Sequence, residues 1–298
     1  MEDENMRSQC GIGLAIGGSL ILTGAALAQP VVDGINLDAT DYGAEIWVNT
    51  VNPTGFGDNT DPSAGNATGS EIDGMYGIIG VNGLGEPTLF IGVPGNIETN
   101  FNKLDLFFDY DPGVGQNKLL GTNPDVDNNG LNRMGDDGTG NGLTFDASFT
   151  ANAWFSLTSG NYDCHVDSAD TFANFADLDL QVGMFLGQTV TGDNQLTGGD
   201  NPFGIEVSIN NSNVDGVTSN STTGSELVTT GMEIAIPLSA FGSPTGPIKI
   251  VGFINGGGHD FLSNQVFGGS PDAPMDNLGE PRAVDFSTIT GDQFVTVN

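Results

Sequence analysis

The chain is poor in positive charge, cysteine, histidine and tryptophan, and each shortage narrows the function. Six Lys and Arg stand against 38 Asp and Glu, for a formal net charge of -32. A surface that grips phosphates needs clustered cations, whereas Lys103, Lys118, Arg133, Lys249 and Arg282 are scattered singly. This argues against a nucleic-acid partner, and anionic membrane surfaces are repelled for the same reason. The two histidines, His165 and His259, are too few for a three-His zinc site, and no H-E-x-x-H motif occurs. Beyond residue 28 there is no G-x-S-x-G elbow, no Lys-bearing phosphate loop, and no G-x-G-x-x-G between a strand and a helix. Cys164 and His165 are neighbours on an extended segment, so their side chains point to opposite faces and cannot pair as a thiol nucleophile and its base. His259-Asp260, after Gly256-Gly257-Gly258, reads as a loop cap. The expectation is a protein without a reactive centre.

Residues 6 to 28 carry Arg7, an apolar stretch, and Ala26-Leu27-Ala28 before Gln29. That is the order of a secretory signal peptide with an Ala-x-Ala cleavage site. The run from Cys10 to Ala28 is glycine-interrupted and marginal against the ~20 apolar residues that spanning requires. The expectation is cleavage after Ala28, export to the medium, periplasm or cell surface, and no membrane association afterwards. Cys10 leaves with the leader, so Cys164 has no partner in the mature chain. Such a protein relies on its core, on bound ions or on assembly.

Beyond the leader, short apolar runs of period two are bounded by Gly, Asn, Asp and Pro, the signature of strands and turns. In Lys103 to Asp109, Leu104, Leu106 and Phe108 fall on one face and Asp105, Phe107 and Asp109 on the other, which predicts one buried and one wet face. Ile205 to Ile209 and Met232 to Ile236 repeat the pattern. Further strands are expected at Ala44 to Val51, Met75 to Val81, Thr88 to Val93, Ala153 to Thr158, Leu180 to Leu186, Ile248 to Asn255 and Gln293 to Val297. Ser168 to Asp177 is the one expected helical segment, and Leu238 to Gly242 a short turn packed on the sandwich edge. About ten short strands predict an all-β fold, a single antiparallel β-sandwich of jelly-roll type over residues 29 to 298. Two long loops, Asn52 to Ser70 and Gly113 to Gly142, are rich in Gly, Asn and Asp.

The most specific local motif is Asp125-Val126-Asp127-Asn128-Asn129-Gly130-Leu131, with Asp136 twelfth. It fits the D-x-[DN]-x-[DN]-G calcium loop, in which Asp125, Asp127, Asn129, the Leu131 carbonyl and Asp136 converge on a hard cation. Asn132 at the eighth position and Asp rather than Glu at the twelfth depart from the pattern. An Asn-Gly turn in a solvated loop is the plainer alternative. Excess carboxylate makes structural Ca2+ attractive on general grounds, since most acids lack a salt-bridge partner.

The opening Val31-Val32-Asp33-Gly34-Ile35-Asn36-Leu37-Asp38 followed by Asp41-Tyr42-Gly43 resembles the start of sandwich domains of the family 9 carbohydrate-binding and DOMON-like group. Lys103 to Asp109 resembles that group's strand ending in Asp, and Gly231 to Gly242 its strand-and-turn segment. The Gly/Asn/Asp-rich style with a leader is also similar to exported proteins of planctomycete-type bacteria. The resemblance implies a sandwich holding sugar against aromatic faces and polar side chains, with structural calcium nearby. Trp47 and Trp154 are the tryptophans available as platforms, though each lies in an apparent strand and a core position is the more ordinary one. The expected partner is an extracellular polysaccharide or cell-surface polymer. Two alternatives stand beside it: a self-assembling surface-layer subunit with calcium between protomers, and a glycoside hydrolase using Glu206 and Glu233, which share a solvent-side phase and approach each other if their strands pair.

Overall fold

The computed structural model describes residues 29–56, 69–127, 130–160, 170–190, 193–213, 222, 225–269 and 274–298. Residues 1–28, where a leader is expected, and Asn129, Cys164 and His165 lie outside the described residues. In chain order the strands are β1 (Trp47–Val48), β2 (Glu71–Ile72), β3 (Gly74–Val81), β4 (Pro87–Asn96), β5 (Asn100–Asp109), β6 (Ala153–Gly160) and β7 (Asp170–Asp177). They continue with β8 (Val182–Val190), β9 (Thr197–Gly198), β10 (Glu206–Ile209), β11 (Gly231–Pro237), β12 (Ile248–Asn255), β13 (Leu262–Val266) and β14 (Val295–Val297). Two short helices, α1 (Ala39–Tyr42) and α2 (Gly130–Met134), complete the regular structure relevant to the sites.

The strands form two antiparallel sheets. The smaller runs β1-β3-β4-β11-β10 with β2 on β4, and the larger runs β13-β12-β5-β6-β7-β8-β9 with β14 on β12. Cross-strand register fixes which side chains share a face. Ile234 opposite Ile91 and opposite Val207 sets the inner face of the smaller sheet. Leu104 opposite Ile254 and opposite Leu157 does so for the larger. These inner faces meet in the main core, which holds Ile91, Ile234, Leu106, Phe155, Phe175 and Ile250. The fold is an all-β antiparallel sandwich.

The expected wet face of β5 is not wet. Asp105, Phe107 and Asp109 are as buried as their inward neighbours, because a third layer lies across the outer face of the larger sheet. Segments 113–151 and 278–294 bring Leu119, Leu131, Phe145, Phe149 and Phe286 against Phe107, Trp154, Val251, Phe253 and Leu262 of the sheet to form a second core. The long Gly113 to Gly142 loop is thus mostly this cover, pinned by Leu119 N donating to Leu143 O and Asp136 N to Leu119 O. Its apolar residues recur with no period, so alternation along β5 carries no sign that a partner layer exists.

The helix expected around Ser168 to Asp177 is strand β7 from Asp170 onward, paired with β6 and β8 along its length. Ala173 and Phe175 enter the main core while Phe172 and Asn174 take the other face, a period of two that the short polar segment concealed. The stretch Ala44 to Val51 yields only the two-residue β1. Leu238–Phe241 is a 3-10 turn closed by Gly242 in the left-handed region, φ 71°, and Phe241 packs on Phe108.

Candidate functional site

On the outer face of the larger sheet, β5 presents Lys103, Asp105 and Phe107 in alternation. Asp105 lies at the floor of the second core with 0% exposure, so its charge must be answered locally. Three donors do so: Trp154 Nε1 at 3.0 Å to Oδ1, and Asn255 Nδ2 and His259 Nδ1, each at 3.1 Å, to Oδ2. His259 Nε2 donates to Asp127 Oδ2 at 2.9 Å, and Lys103 Nζ reaches the same oxygen at 2.9 Å. Two carboxylates and two cations therefore alternate, and the formal charges cancel.

The turn after β12 places the histidine. Asn255 Oδ1 accepts from Gly256 N at 3.0 Å, His259 N donates to Gly256 O at 2.8 Å, and His259 takes φ 51°. Asp127 is also left-handed, φ 54°, and so is Phe101 at the β5 bulge, φ 72°. Half of the six described non-glycine residues with positive φ gather at this one place. Such conformations cost about 1–3 kcal/mol each and persist only where the surroundings over-determine them.

Burial pulls the His259 pKa down, but Asp105 and Asp127 outweigh it and hold the imidazolium up at about 9. Burial likewise pushes Asp127 up, and His259 with Lys103 overcomes it, bringing the carboxyl to about 2. Both ring nitrogens are donors, so His259 has no lone pair left to act as a base or a metal ligand.

This network takes up two residues that sequence reasoning singled out separately. Asp127, expected in a calcium loop, turns its carboxylate to an ammonium and an imidazolium. Leu131 is buried in the second core, and Asp136 Oδ1 accepts from Gly138 N at 2.8 Å and Gly140 N at 3.0 Å. Among the described residues no three His, Cys, Asp or Glu side chains converge as a metal cage. Gly130, read as permitting a calcium turn, begins α2 and leaves room for a ring: a Cβ there would overlap His259. Trp154, one of the two expected platforms, is 0% exposed and offers no face to solvent. Trp47 is half-buried against Phe267, ring centroids 5.9 Å apart.

Beside the network is a pocket of about 240 Å3 lined by Lys103 and Asp127, by Thr158 and Asn174 from β6 and β7, and by Phe101, Phe172 and Phe185. None of Lys103, Asp105 or Asn174 was anticipated as a site residue. The available signal was a lone Asp inside the apolar run Leu104 to Phe108, which must be paired if both faces are covered.

The outer face of the smaller sheet is built differently. Asp38 caps α1 by accepting from Thr40 N, and Gly43, φ 79°, ends the turn so that Tyr42 faces the sheet. Tyr42 Oη donates to Glu233 Oε1 at 2.7 Å, while Asp33 N and Gly34 N donate to Oε2 at 2.8 and 2.6 Å. Burial is the main cause that pushes the Glu233 pKa up to about 7, against these three hydrogen bonds. Glu206 shares the face, since Glu206 opposes Ala235 and Ser208 opposes Glu233. The two acids are thus on one face, but Glu233 is consumed by the segment that covers it.

Where that cover ends, a cleft of about 530 Å3 opens. Phe90 and Phe203 line it, with exposed Val31 and Leu84 at its rim. Glu206 stands in the wall, fixed by Asn194 Nδ2 at 3.1 Å and Gln195 Nε2 at 2.9 Å. Glu86, which accepts from Asn82 Nδ2 at 3.3 Å, is the second lining carboxylate, and no Lys or Arg is among the described lining residues. The molecule is thus an antiparallel β-sandwich with a recess on each outer face. Set against known protein families, curated proteins and solved structures, the chain matches none.

Proposed function

We propose that this chain is a non-catalytic extracellular binding protein that holds a neutral glycan in the cleft on the smaller sheet. The observation that carries the reading is the cleft's lining. Apolar and aromatic surface from Phe203 and Leu84 lies beside carboxylate and carboxamide groups that neighbouring side chains already hold in place. Vicinal hydroxyls are met by such groups as paired donors and acceptors, and a few placed polar groups on an apolar wall give orientation. Two carboxylates without a lining cation disfavour sulfated or uronic polymers. The fully engaged Glu233 supports binding rather than hydrolysis.

The test is retention on insoluble polysaccharides, cellulose, chitin, xylan and mannan among them, with a Glu206→Ala, Phe203→Ala variant as control. Retention on a neutral polymer that weakens at least tenfold in the variant is expected. Passage through every matrix overturns the reading, and calcium-dependent polymerisation in its place identifies the structural-subunit alternative.

A further inference from the structure

We propose that the pocket between β5 to β8 and Asp127 is a separate site that binds a small zwitterion, the class of free α-amino acids. This proposal does not rest on the glycan reading, since the pocket is on the outer face of the other sheet.

Three polar groups at the pocket have capacity that the protein leaves unused. Lys103 is 5% exposed, and of its three donors the described residues engage one partner, Asp127. Asp127 accepts from Lys103 and His259 on Oδ2 alone, so Oδ1 takes no hydrogen bond from the described residues. The Asn174 carboxamide is 3% exposed, lines the pocket, and has no hydrogen-bond partner among the described residues. A carboxamide facing the pocket without a protein partner keeps both a donor and an acceptor open to a polar ligand. Thr158 is not part of this set, because its hydroxyl donates to Asn102 O at 2.7 Å.

The pattern selects the ligand. An ammonium and a carboxylate 2.9 Å apart form a fixed dipole at the pocket wall. A carboxylate beside Lys103 and an ammonium beside Asp127 Oδ1 answer both ends with charge-assisted hydrogen bonds, roughly twice as strong as neutral ones. Asn174, donor and acceptor at once, can serve either end. A neutral polyol would meet the same groups with weaker bonds and leave the dipole unanswered. Phe101 and Phe172, 6.4 Å between centroids, and Phe185 supply apolar wall for a side chain. Phe185, 41% exposed, stands at the mouth. A volume of about 240 Å3 admits a small molecule and not a polymer.

The experiment is calorimetric titration of the full chain with the twenty standard amino acids, with the corresponding simple carboxylates and amines, and with neutral monosaccharides. Saturable binding of one or more amino acids is expected, at least tenfold weaker for the carboxylate or amine alone. Asn174→Ala keeps every charge, so its unliganded unfolding midpoint should match the parent while affinity falls at least tenfold. Should Asn174→Ala fold poorly, Lys103→Arg provides the second arm: the charge remains, the point donor is lost, and affinity should fall. No heat with any amino acid overturns the proposal, as does equal binding of a neutral sugar or undiminished affinity in a folded Asn174→Ala variant.

Discussion

His259 is the residue on which most depends, because it supplies the counter-charge to buried Asp105 and shares Asp127 with Lys103. Removing one partner of such a network leaves a charge alone in the interior, which costs about 3–5 kcal/mol. His259→Ala is therefore expected to lower the unfolding free energy by that order in urea titration. The double variant with Asp105→Asn should lose less than the sum of the two singles, since Asp105 no longer needs a counter-charge. Strict additivity would show that the groups act independently. Gly130 is tied to the same ring: Gly130→Ala should destabilise by about 1–3 kcal/mol through overpacking, although alanine is otherwise the better helix former. A gain in stability would mean that His259 yields to the methyl group without cost.

At the scale of elements, β5 is covered on both faces, so its outward aromatic is as costly to remove as an inward one. Phe107 packs on Phe145 and Phe253 at centroid distances of 5.0 and 6.0 Å. Phe107→Ala should cost about 3–5 kcal/mol, measured by denaturant unfolding, whereas a wet-faced strand would lose only a fraction of that. The strand pattern itself was legible: the periods at Lys103 to Asp109, Glu206 to Ile209 and Met232 to Ile236 mark the same inward residues that the register does. Alternation reports that a strand has two faces, but it is silent on what lies over the second, and the covering segment has no period to betray it. Candidate residues fared likewise. Asp127 and Trp154 could be picked out singly, yet their union at Asp105 is made by contacts 49 and 154 positions apart in the chain, the second of them through His259. Local motifs carry no trace of such pairings.

At the scale of the whole molecule, buried carboxylates set the response to pH. Burial is the leading cause that pushes Glu45, Asp73 and Glu233 up to about 7. In the unfolded chain these groups ionise in the ordinary carboxylate range, so between that range and neutrality the folded state holds protons that the unfolded state has released. Their contribution is complete below the unfolded pKa and fades as pH rises through 7. His259, raised to about 9, adds a contribution that is complete below the ordinary histidine pKa and lost as pH rises through 9. Self-repulsion from a net charge of -32 works in the same direction. The unfolding midpoint should decline from the ordinary carboxylate range up to about pH 7, and further from the ordinary histidine range up to about 9; a midpoint that climbs from pH 5 to 8 would contradict the assignment. Because Asp127 is already paired, calcium at matched ionic strength should raise the midpoint no more than magnesium does, and a calcium-specific rise would place a cation cage elsewhere in the chain.

Trp154 sits against His259 with ring centroids 5.8 Å apart and bonds the same carboxylate. A protonated imidazole quenches a neighbouring indole by accepting an electron from its excited state, and emission returns when the imidazole gives up its proton. With Trp47 replaced by Phe, the glow of the remaining indole becomes a built-in optical gauge of that proton, dim in neutral buffer and brightening on the alkaline side.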